Sequence, residues 1–334
     1  MKDGVLIVSE SDDLHALLIQ DVIKSKGGNC YIIGSDSVHG SELVNYLCVS
    51  GAAPQVRLTT TCGTVVDPKE FATLWWRRYK PAQTGLAILG RDEQSLINND
   101  CCAGLRGALE TSFEGRWVSH PSATEAASNK LVQLAAAVRA GFNIPATLVT
   151  QSPGALGSFA DAFDKIIYKP VAGTRGPLVF TRFLDLKCIP EEIIRSAPTI
   201  YQEFVPGTRH IRLNAFGAVS HASIIETKQL DWRPNLDVPI KPWAVDDTLQ
   251  ALVDGVLREL SLAMGIFDVK ITPDDEYVFL EVNPQGQFLF LEAATGERLA
   301  DHMANFLLGD DHRNRTVGIS PSSSRFAEQT QGVC

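Results

Sequence analysis

The chain has 334 residues, of which 45% are hydrophobic and 21% charged, and its formal net charge is −9 at pH 7. That length is sufficient for two or three globular domains, and the acidic balance argues against a general nucleic-acid-binding protein. Scattered cysteines without a C-x-x-C pair, no signal-peptide pattern and no apolar stretch of membrane-spanning length predict a cytoplasmic protein with reduced thiols, no zinc site and no membrane partner.

The first third of the chain alternates predicted strands and helices. Four apolar runs have the pattern of strands: residues 5–8, 30–33, 55–61 and 71–76. Two longer segments have the apolar spacing of helices: residues 14–26 and 94–110. The strand–helix–strand opening indicates a doubly wound α/β unit, but it lacks the G-x-G-x-x-G fingerprint of dinucleotide binding. We expect this first domain to end near Trp117, with a linker at residues 119–123.

The remainder of the chain also mixes strands and helices. Strand patterns recur at residues 144–149, 165–170, 199–205, 210–216 and 218–226. Helical patterns are found at residues 124–140, 158–163, 246–264 and 296–307. A Gly-rich turn is predicted at residues 171–176. From residue 309 the chain is polar and rich in serine, which predicts a flexible tail.

The segment that carries most chemical information is a predicted β-hairpin near the C-terminus. Two apolar runs, residues 265–272 and 277–283, flank a turn-forming Pro-Asp-Asp cluster. Folding about that cluster puts Asp268 opposite Glu281, and Asn283 shares the face of Glu281 because strand side chains alternate. Two carboxylates and an amide oxygen on one face suit Mg²⁺ that also holds nucleotide phosphates. Unpaired carboxylates would repel each other on a purely structural face, so the hairpin predicts a metal site.

Two lysines are candidates for binding phosphate. Lys169 ends an apolar strand just before the Gly-rich turn, where its ammonium and the backbone N–H groups of the turn can reach one phosphate. Taken alone, a strand-end lysine is more often a surface residue with a buried stem, and the same holds for Lys130 on its helix. The strand that ends at residues 202–205 can offer main-chain groups to a purine and Glu203 to a ribose hydroxyl, although by itself it is an ordinary strand.

Two arginines add candidate anion-binding groups. Arg212 lies near the start of a predicted strand, and Arg233 follows in Asp231-Trp232-Arg233. Guanidinium groups bind phosphate or carboxylate in a bidentate manner. The alternative is a solvated basic rim.

Taken in chain order, these motifs resemble the ATP-grasp superfamily over about residues 120–308. The matching residues are Asn129-Lys130, Ile167-Tyr168-Lys169-Pro170, Gln202-Glu203-Phe204-Val205, Arg212, Phe267-Asp268 and Glu281-Val282-Asn283-Pro284. The chain is also similar to a narrower group, the peptide-modifying ligases of the microviridin maturase type, or graspetide synthetases. That similarity rests on Leu74-Trp75-Trp76-Arg77-Arg78, Asp231-Trp232-Arg233 and residues 281–292.

The resemblance implies an α/β and α+β architecture, an ATP-grasp fold with a Rossmann-like pre-ATP-grasp domain at its N-terminus. The implied divisions are residues 1–118 for that domain, 119–200 for the central lobe, 201–308 for the C-terminal lobe with the metal site, and 309–334 for the tail. Two departures stand out. Phe288 and Phe290 occupy positions where relatives often carry Trp, and Lys270 shares the face of Asp268 where an apolar residue is expected. Lys270 is interpreted as a phosphate contact or an exposed residue.

The resemblance further implies ATP and Mg²⁺ as cofactors, with a role for each candidate residue. Lys130 and Lys169 are expected on the phosphates. The residues expected around adenosine are Gln202, Glu203, Phe204 and Val205. The expected Mg²⁺ ligands are Asp268, Glu281 and Asn283. Arg212 is the candidate for stabilising the transferring phosphoryl group, and Arg233 is a second candidate, for the substrate carboxylate.

The implied activity is that of an ATP-dependent, ADP-forming carboxylate–amine or carboxylate–hydroxyl ligase. Asp or Glu side chains of a ribosomal precursor peptide would be activated as acyl phosphates and joined to Thr, Ser or Lys side chains, which closes ester or amide rings. The expected partner is that precursor, with a leader and an acidic, Thr-rich core, and relatives are commonly homodimers. Three alternatives remain open: a RimK-like ligase that adds an amino acid, a non-catalytic peptide-binding module, and a dehydrogenase that the missing Gly fingerprint disfavours.

Overall fold

The computed structural model describes residues 4–37, 43–79, 90–172, 181–233 and 237–310. The predicted tail therefore lies almost entirely outside the described residues, as does most of the predicted Gly-rich turn at 171–176. Among the described helices, none combines the length and the apolar character that crossing a membrane requires.

The N-terminal part is built on a parallel sheet. Its elements are β1 (Val5–Ser9), α1 (Leu14–Ser25), β2 (Cys30–Gly34), β3 (Val44–Leu47), β4 (Gln55–Thr59), β5 (Val65–Val66), β6 (Thr73–Trp76), α2 (Arg91–Ser112) and β7 (Arg116–Val118). The parallel sheet has the order β2-β1-β6-β7, and β3, β4 and β5 form a small antiparallel sheet. Helix α1 begins at Asp13, whose side chain accepts a hydrogen bond from the His15 N–H and so caps the helix.

The central part contains an antiparallel sheet of order β10-β9-β11-β8. Its elements are α3 (Pro121–Ala127), α4 (Lys130–Arg139), β8 (Thr147–Thr150), α5 (Pro153–Ala160), β9 (Ile166–Pro170), β10 (Arg182–Phe183), α6 (Glu191–Ser196) and β11 (Thr199–Glu203). The single helix predicted over residues 124–140 is wrong, and α3 begins inside the segment expected to be a linker. The chain breaks because Asn129 is extended and its side chain accepts from the Leu131 N–H at 2.9 Å, which starts a new helix.

The C-terminal part is organised around a five-stranded antiparallel sheet of order β14-β13-β12-β15-β16. Its elements are β12 (Arg209–Phe216), β13 (Val219–Glu226), β14 (Ile240–Trp243), α7 (Asp247–Glu259), β15 (Met264–Ile271), β16 (Tyr277–Asn283), α8 (Leu289–Thr295) and α9 (Leu299–Leu308). Two expectations are corrected: the helix predicted to reach residue 264 ends at Glu259, and the last predicted helix begins at Leu299 rather than residue 296.

Two hydrophobic clusters hold the parts together. One face of the five-stranded sheet packs on α4 and α7 through residues such as Leu213, Phe267 and Val253. At the other face, Phe216 and Ile266 belong to a cluster that also includes side chains of the N-terminal sheet and of α8 and α9. The strands that carry the predicted metal ligands are therefore fixed from both sides, which keeps their side chains in place.

Candidate active site

Strands β15 and β16 form the predicted hairpin, and Asp268 pairs with Glu281 as expected. The register of the residue pairs between the turn and Asp268 differs from the prediction. Near the turn Ile271 pairs with Tyr277, one residue away from the predicted register, and the register shifts back between Asp268 and Val269, where Leu280 is left unpaired. A five-residue turn and a β-bulge thus compensate for each other. The bulge also lets both Leu280 and Glu281 line the same cavity.

Arg212 lies opposite Asp268 on β12. Its Nη1 donates to both carboxylate oxygens of Asp268, at 3.0 and 2.8 Å, and its Nη2 donates to the main-chain oxygen of Gln287 at 3.2 Å. The two side chains are only 11% and 15% exposed. Charge-assisted bonds at low exposure are strong, so this pair is rigidly placed.

The two predicted phosphate-binding lysines converge on the hairpin from separate elements. Lys130 is the first residue of α4, and its Nζ lies 3.5 Å from Glu281 Oε2. Lys169 lies on β9 and is 9% exposed, and no other side chain in the described ranges forms an ion pair with it. Burial lowers the pKa of Lys169 to about 8, an effect that Glu281 opposes and Lys130 reinforces. A buried ammonium of this kind gains most from an anionic ligand.

Arg233 approaches Glu281 from a loop. It is held by Asp231 through two hydrogen bonds, from Nε at 2.8 Å and from Nη2 at 2.5 Å. Its Nη1 lies 3.8 Å from Glu281 Oε1. The guanidinium therefore spans two carboxylates, one of which, Asp231, fixes its orientation.

The cations around the hairpin outnumber the carboxylates. Burial raises the pKa of the Asp268 carboxyl, although Arg212 opposes the shift and Glu281 adds to it. Burial also acts to raise the pKa of Glu281, but Lys130, Lys169 and Arg233 together hold it below its ordinary value. A surplus of positive charge around a cavity that is largely shielded from solvent favours the binding of a polyanion such as a nucleoside triphosphate.

Segment 202–205 lies in the same cavity as the lysines and carboxylates. Gln202 donates to Thr147 Oγ1 at 2.8 Å, and Glu203 accepts from the Ala146 N–H at 2.9 Å. Glu203 thus already uses one carboxylate oxygen to join neighbouring strands. The cavity is also lined by Phe204 and Val205, which gives this end an apolar character.

Lys270 lines the cavity, and its burial contradicts one of the two interpretations of the sequence. It is 5% exposed, and its Nζ lies 4.9 Å from the centre of the Phe204 ring. The interpretation as an exposed residue is therefore wrong. Burial lowers its pKa to about 8.

The structure brings two of the three predicted metal ligands together. Asp268 and Glu281 line the cavity, whereas Asn283 is not among the lining residues: it is exposed, and its Oδ1 accepts from the Gln285 N–H at 3.0 Å. Within the described ranges no three His, Cys, Asp or Glu side chains are grouped as a metal site. Two carboxylates and one amide oxygen fit Mg²⁺ that takes its other ligands from phosphate and water, rather than a metal enclosed by protein.

The N-terminal part supports the loop that follows Asn283, a function that sequence reasoning missed. Arg77 is buried, lies 3.2 Å from Asp13 Oδ2, and donates to the main-chain oxygens of Gln285 and Gly286. Trp75 Nε1 donates to Gln285 Oε1 at 2.9 Å. The sequence marks the motif that contains Trp75 and Arg77, but nothing near it in the chain indicates that its partner is the loop at residues 285–286.

His15 supports the same loop from the start of α1. Its Nε2 accepts from the N–H groups of Phe288 at 3.0 Å and Leu289 at 3.3 Å. The His15 ring also packs edge-on against Phe288, with centroids 4.9 Å apart. Because Gln287 in this loop contacts Arg212, the N-terminal part is linked to the candidate site through residues 285–289.

Comparisons with known proteins gave matches at the level of structure. No protein-family model matches the sequence, and the search of curated proteins found no significant match. A RiPP-associated ATP-grasp ligase from Chryseobacterium gregarium, in complex with ADP and a leader and core peptide, superposes with a TM-score of 0.83. It is 22% identical in sequence, over 92% of this chain and 97% of that chain.

Two further solved structures are similar. The macrocyclase MdnC from Microcystis aeruginosa MRC, bound to precursor peptide MdnA, gives a TM-score of 0.79 at 24% identity, over 92% of this chain and 99% of that chain. The ATP-grasp ligase PsnB, complexed with a minimal precursor, Mg and ADP, gives 0.75 at 21% identity, over 91% and 96% of the two chains. A RimK domain ATP-grasp protein from Sphaerobacter thermophilus is more distant, with a TM-score of 0.55 at 18% identity over 92% and 100%. These likenesses confirm the predicted ATP-grasp fold.

Proposed function

We propose that this protein is an ATP-dependent, ADP-forming ligase that closes ester or amide cross-links within a ribosomally made precursor peptide. The observation that carries the proposal is the cavity in which Lys130, Lys169 and Arg233 surround Glu281 beside Asp268. The fold likeness adds support. The chain superposes on the peptide-bound ligases with TM-scores of 0.75–0.83, and on the RimK domain protein with a TM-score of only 0.55.

The domain divisions are part of the proposal. Residues 1–118 would be a Rossmann-like pre-ATP-grasp domain, which the parallel order β2-β1-β6-β7 supports. Residues 119–200 and 201–308 would be the two lobes that enclose ATP. Each range contains most of one antiparallel sheet, and the boundary between them falls inside β11 of the first sheet. The tail would be residues 309–334.

In this proposal ATP lies along the cavity. Lys130 and Lys169 would contact the phosphates, an assignment that the depressed pKa of Lys169, about 8, supports because a phosphate would compensate its burial. The groups around adenosine would be Gln202, Glu203, Phe204 and Val205. Glu203 would use its second oxygen for a ribose hydroxyl, since the first accepts from Ala146.

Asp268, Glu281 and Asn283 would hold Mg²⁺, which when bound would neutralise phosphate charge and polarise the γ-phosphoryl group. Arg212, which donates to both carboxylate oxygens of Asp268, is the cation proposed to act on that phosphoryl group. Its guanidinium would stabilise the charge that develops during transfer. Arg233, which Asp231 orients, would hold the peptide carboxylate.

The reaction has two transfers. A carboxylate oxygen of the peptide attacks the γ-phosphorus, the bond to the ADP oxygen breaks, and an acyl phosphate forms. A hydroxyl or amine of the same peptide then attacks the acyl carbon, phosphate leaves, and the attacking group loses its proton. The protein contributes mainly positioning and electrostatic stabilisation, because both reactants of the first step are anions.

The partner would be a precursor peptide with a leader and an acidic, Thr-rich core. The cation-rich cavity supports an acidic partner in spite of the net charge of −9. The homodimer and the cytoplasmic location stay predictions from the sequence.

Mass spectrometry tests the proposal. The protein is incubated with ATP, Mg²⁺ and the short peptide encoded nearest to it. Loss of one water per bond, with one ADP released for each, is the expected result. A gain of amino-acid mass when free amino acids are supplied would instead identify a RimK-like ligase. Binding of peptide without any ADP release would identify a non-catalytic module.

A further inference from the structure

Lys270 is a buried cation with no anionic partner among the described residues. It lies on β15, is 5% exposed, and lines the candidate cavity. Its Nζ lies 4.9 Å from the centre of the Phe204 ring, and its charge also acts on the neighbouring His210. An ammonium without a hydrogen-bond acceptor is costly to bury. A ligand that supplies a hydrogen-bond acceptor would remove this cost of burial.

The position of Lys270 indicates which part of a nucleotide would supply that acceptor. Along the paired strands Asp268 lies opposite Arg212, and Lys270 lies opposite His210 two residues further on. That separation corresponds to about 7 Å along a strand. The charged groups that suit phosphate gather near Asp268, whereas Lys270 lies against Phe204 in the apolar part of the cavity.

The neighbours of Lys270 argue for a flat, neutral ligand group. His210 is 7% exposed, and burial lowers its pKa to about 4, so it is uncharged near pH 7. The apolar side chains of Ile167, Val205 and Leu280 line the same cavity. A purine ring fits such surroundings, because it is apolar on its faces and carries hydrogen-bond acceptors on its edge.

We propose that the Lys270 ammonium donates a hydrogen bond to a ring nitrogen of the adenine base. This inference rests on the proposed function, because it assumes that the cavity holds a nucleotide. Lys270 would then be a binding residue for the base, in addition to Lys130 and Lys169 on the phosphates. Its burial within the cavity has a function, since the free enzyme keeps an unpaired donor ready for the incoming base.

The test compares nucleotides that lack one ring nitrogen. Isothermal titration calorimetry measures the affinity of the full chain, with Mg²⁺, for ADP and for 1-deaza-, 3-deaza- and 7-deaza-ADP. One of these analogues is expected to bind the wild type about 10- to 100-fold more weakly than ADP, because a hydrogen bond to a charged group is lost. Lys270→Met is expected to bind that analogue and ADP equally, both at the weakened level.

Controls separate the base contact from other effects. Lys241→Met removes an exposed lysine from β14 of the same sheet and is expected to leave all affinities unchanged. Adenosine is titrated as well. A loss in Lys270→Met that affects ADP but not adenosine would identify a phosphate contact and overturn the inference.

The wild type alone can refute the inference, whether or not Lys270→Met folds. Equal affinity for ADP and all three deaza analogues would show that no ring nitrogen is contacted through such a bond. Unchanged ADP affinity in a folded Lys270→Met would overturn it equally. If the wild type bound neither ADP nor ATP, the proposed function would fail together with this inference, whereas binding without base discrimination would overturn this inference alone.

Discussion

Arg212 and Asp268 form an ion pair across neighbouring strands, in which one guanidinium nitrogen donates to both carboxylate oxygens, at 3.0 and 2.8 Å. The carboxylate proposed as a metal ligand is thus engaged by the arginine proposed to act on the phosphoryl group. Lone pairs given to a guanidinium are less available to a cation, so Arg212 and Mg²⁺ are expected to compete for Asp268. The competition would free Arg212 when Mg²⁺ and nucleotide enter.

Replacing Arg212 is expected to affect turnover more than nucleotide binding. In Arg212→Lys the charge is retained but the planar fork is lost, so ADP release at saturating ATP should fall by at least about 100-fold. The affinity for ADP should change by less than about threefold, because Arg212 is not assigned to the ground-state phosphates. Arg209→Lys, on the same strand, is the matched control. Near wild-type turnover in Arg212→Lys would show that Arg212 does not stabilise the phosphoryl transfer.

Glu281→Gln tests the metal site. The substitution keeps the shape of the side chain but removes the charge that faces Lys130 and Arg233. ADP release should fall by at least about 100-fold, since a metal ligand and its electrostatic contribution are lost together. Glu276→Gln, exposed in the turn of the same hairpin, should retain activity. Thermal unfolding of both variants checks that the fold persists, and an active, folded Glu281→Gln would contradict the assignment.

The depressed pKa of Lys169 predicts a pH-dependent stability of the nucleotide-free protein. The pKa is about 8 in the folded chain and 10.5 in the reference state, so between these values the unfolded chain binds more protons. Stability then rises with pH in this window. Lys169→Met should be more stable than the wild type at pH 7, and the difference should shrink by on the order of 1 kcal/mol per pH unit above pH 8.

Chemical denaturation at pH 7, 8 and 9 measures this effect. Lys165→Met, in the exposed residue just before the same strand, should show no such trend. A constant difference between wild type and Lys169→Met across the three pH values would show that Lys169 is not desolvated in the folded protein.

Asp13→Asn isolates the charge that neutralises Arg77. Asparagine caps a helix as well as aspartate, so the start of α1 is preserved while the carboxylate 3.2 Å from Arg77 Nε is lost. An unpaired buried guanidinium should destabilise the fold by about 3–5 kcal/mol. The exposed neighbour Asp12→Asn serves as the control. A loss below about 1 kcal/mol in urea unfolding would mean that Arg77 is satisfied by the loop carbonyls alone.

Gly286→Ala tests how tightly the loop after Asn283 is packed. A Cβ at Gly286 would lie 2.8 Å from the Ile266 side chain, so the loop or strand β15 must shift. We expect a loss of about 1–3 kcal/mol in stability and reduced ADP release. Gly107→Ala, on the open face of α2, meets nothing within 4 Å and should stabilise by about 0.5–1 kcal/mol. Equal stability of the two variants would mean that the loop shifts to accommodate the added Cβ without loss of folding free energy.

The sequence predicted which residues pair at the site of the hairpin, but not the register near its turn or the β-bulge. Alternation and the Pro-Asp-Asp cluster correctly put Asp268 opposite Glu281, because both signals act over a few residues. The bulge at Leu280 was not predictable, since the sequence has no glycine there to mark it. The helix break at Asn129 left a signal, an N-cap residue, but the apolar spacing on both sides masked it.

The sequence by itself determined the order of the elements, the shared face of the two carboxylates, and the resemblance that predicted the fold. Those features depend on strand and helix periodicity and on turn chemistry, which are local. Only the tertiary structure decided which distant groups meet. Arg77 reaches Gln285 across 208 positions of the chain, and Lys270 is buried by Phe204 rather than exposed. Such contacts depend on how separate sheets pack, and this packing has no periodic signature in the chain.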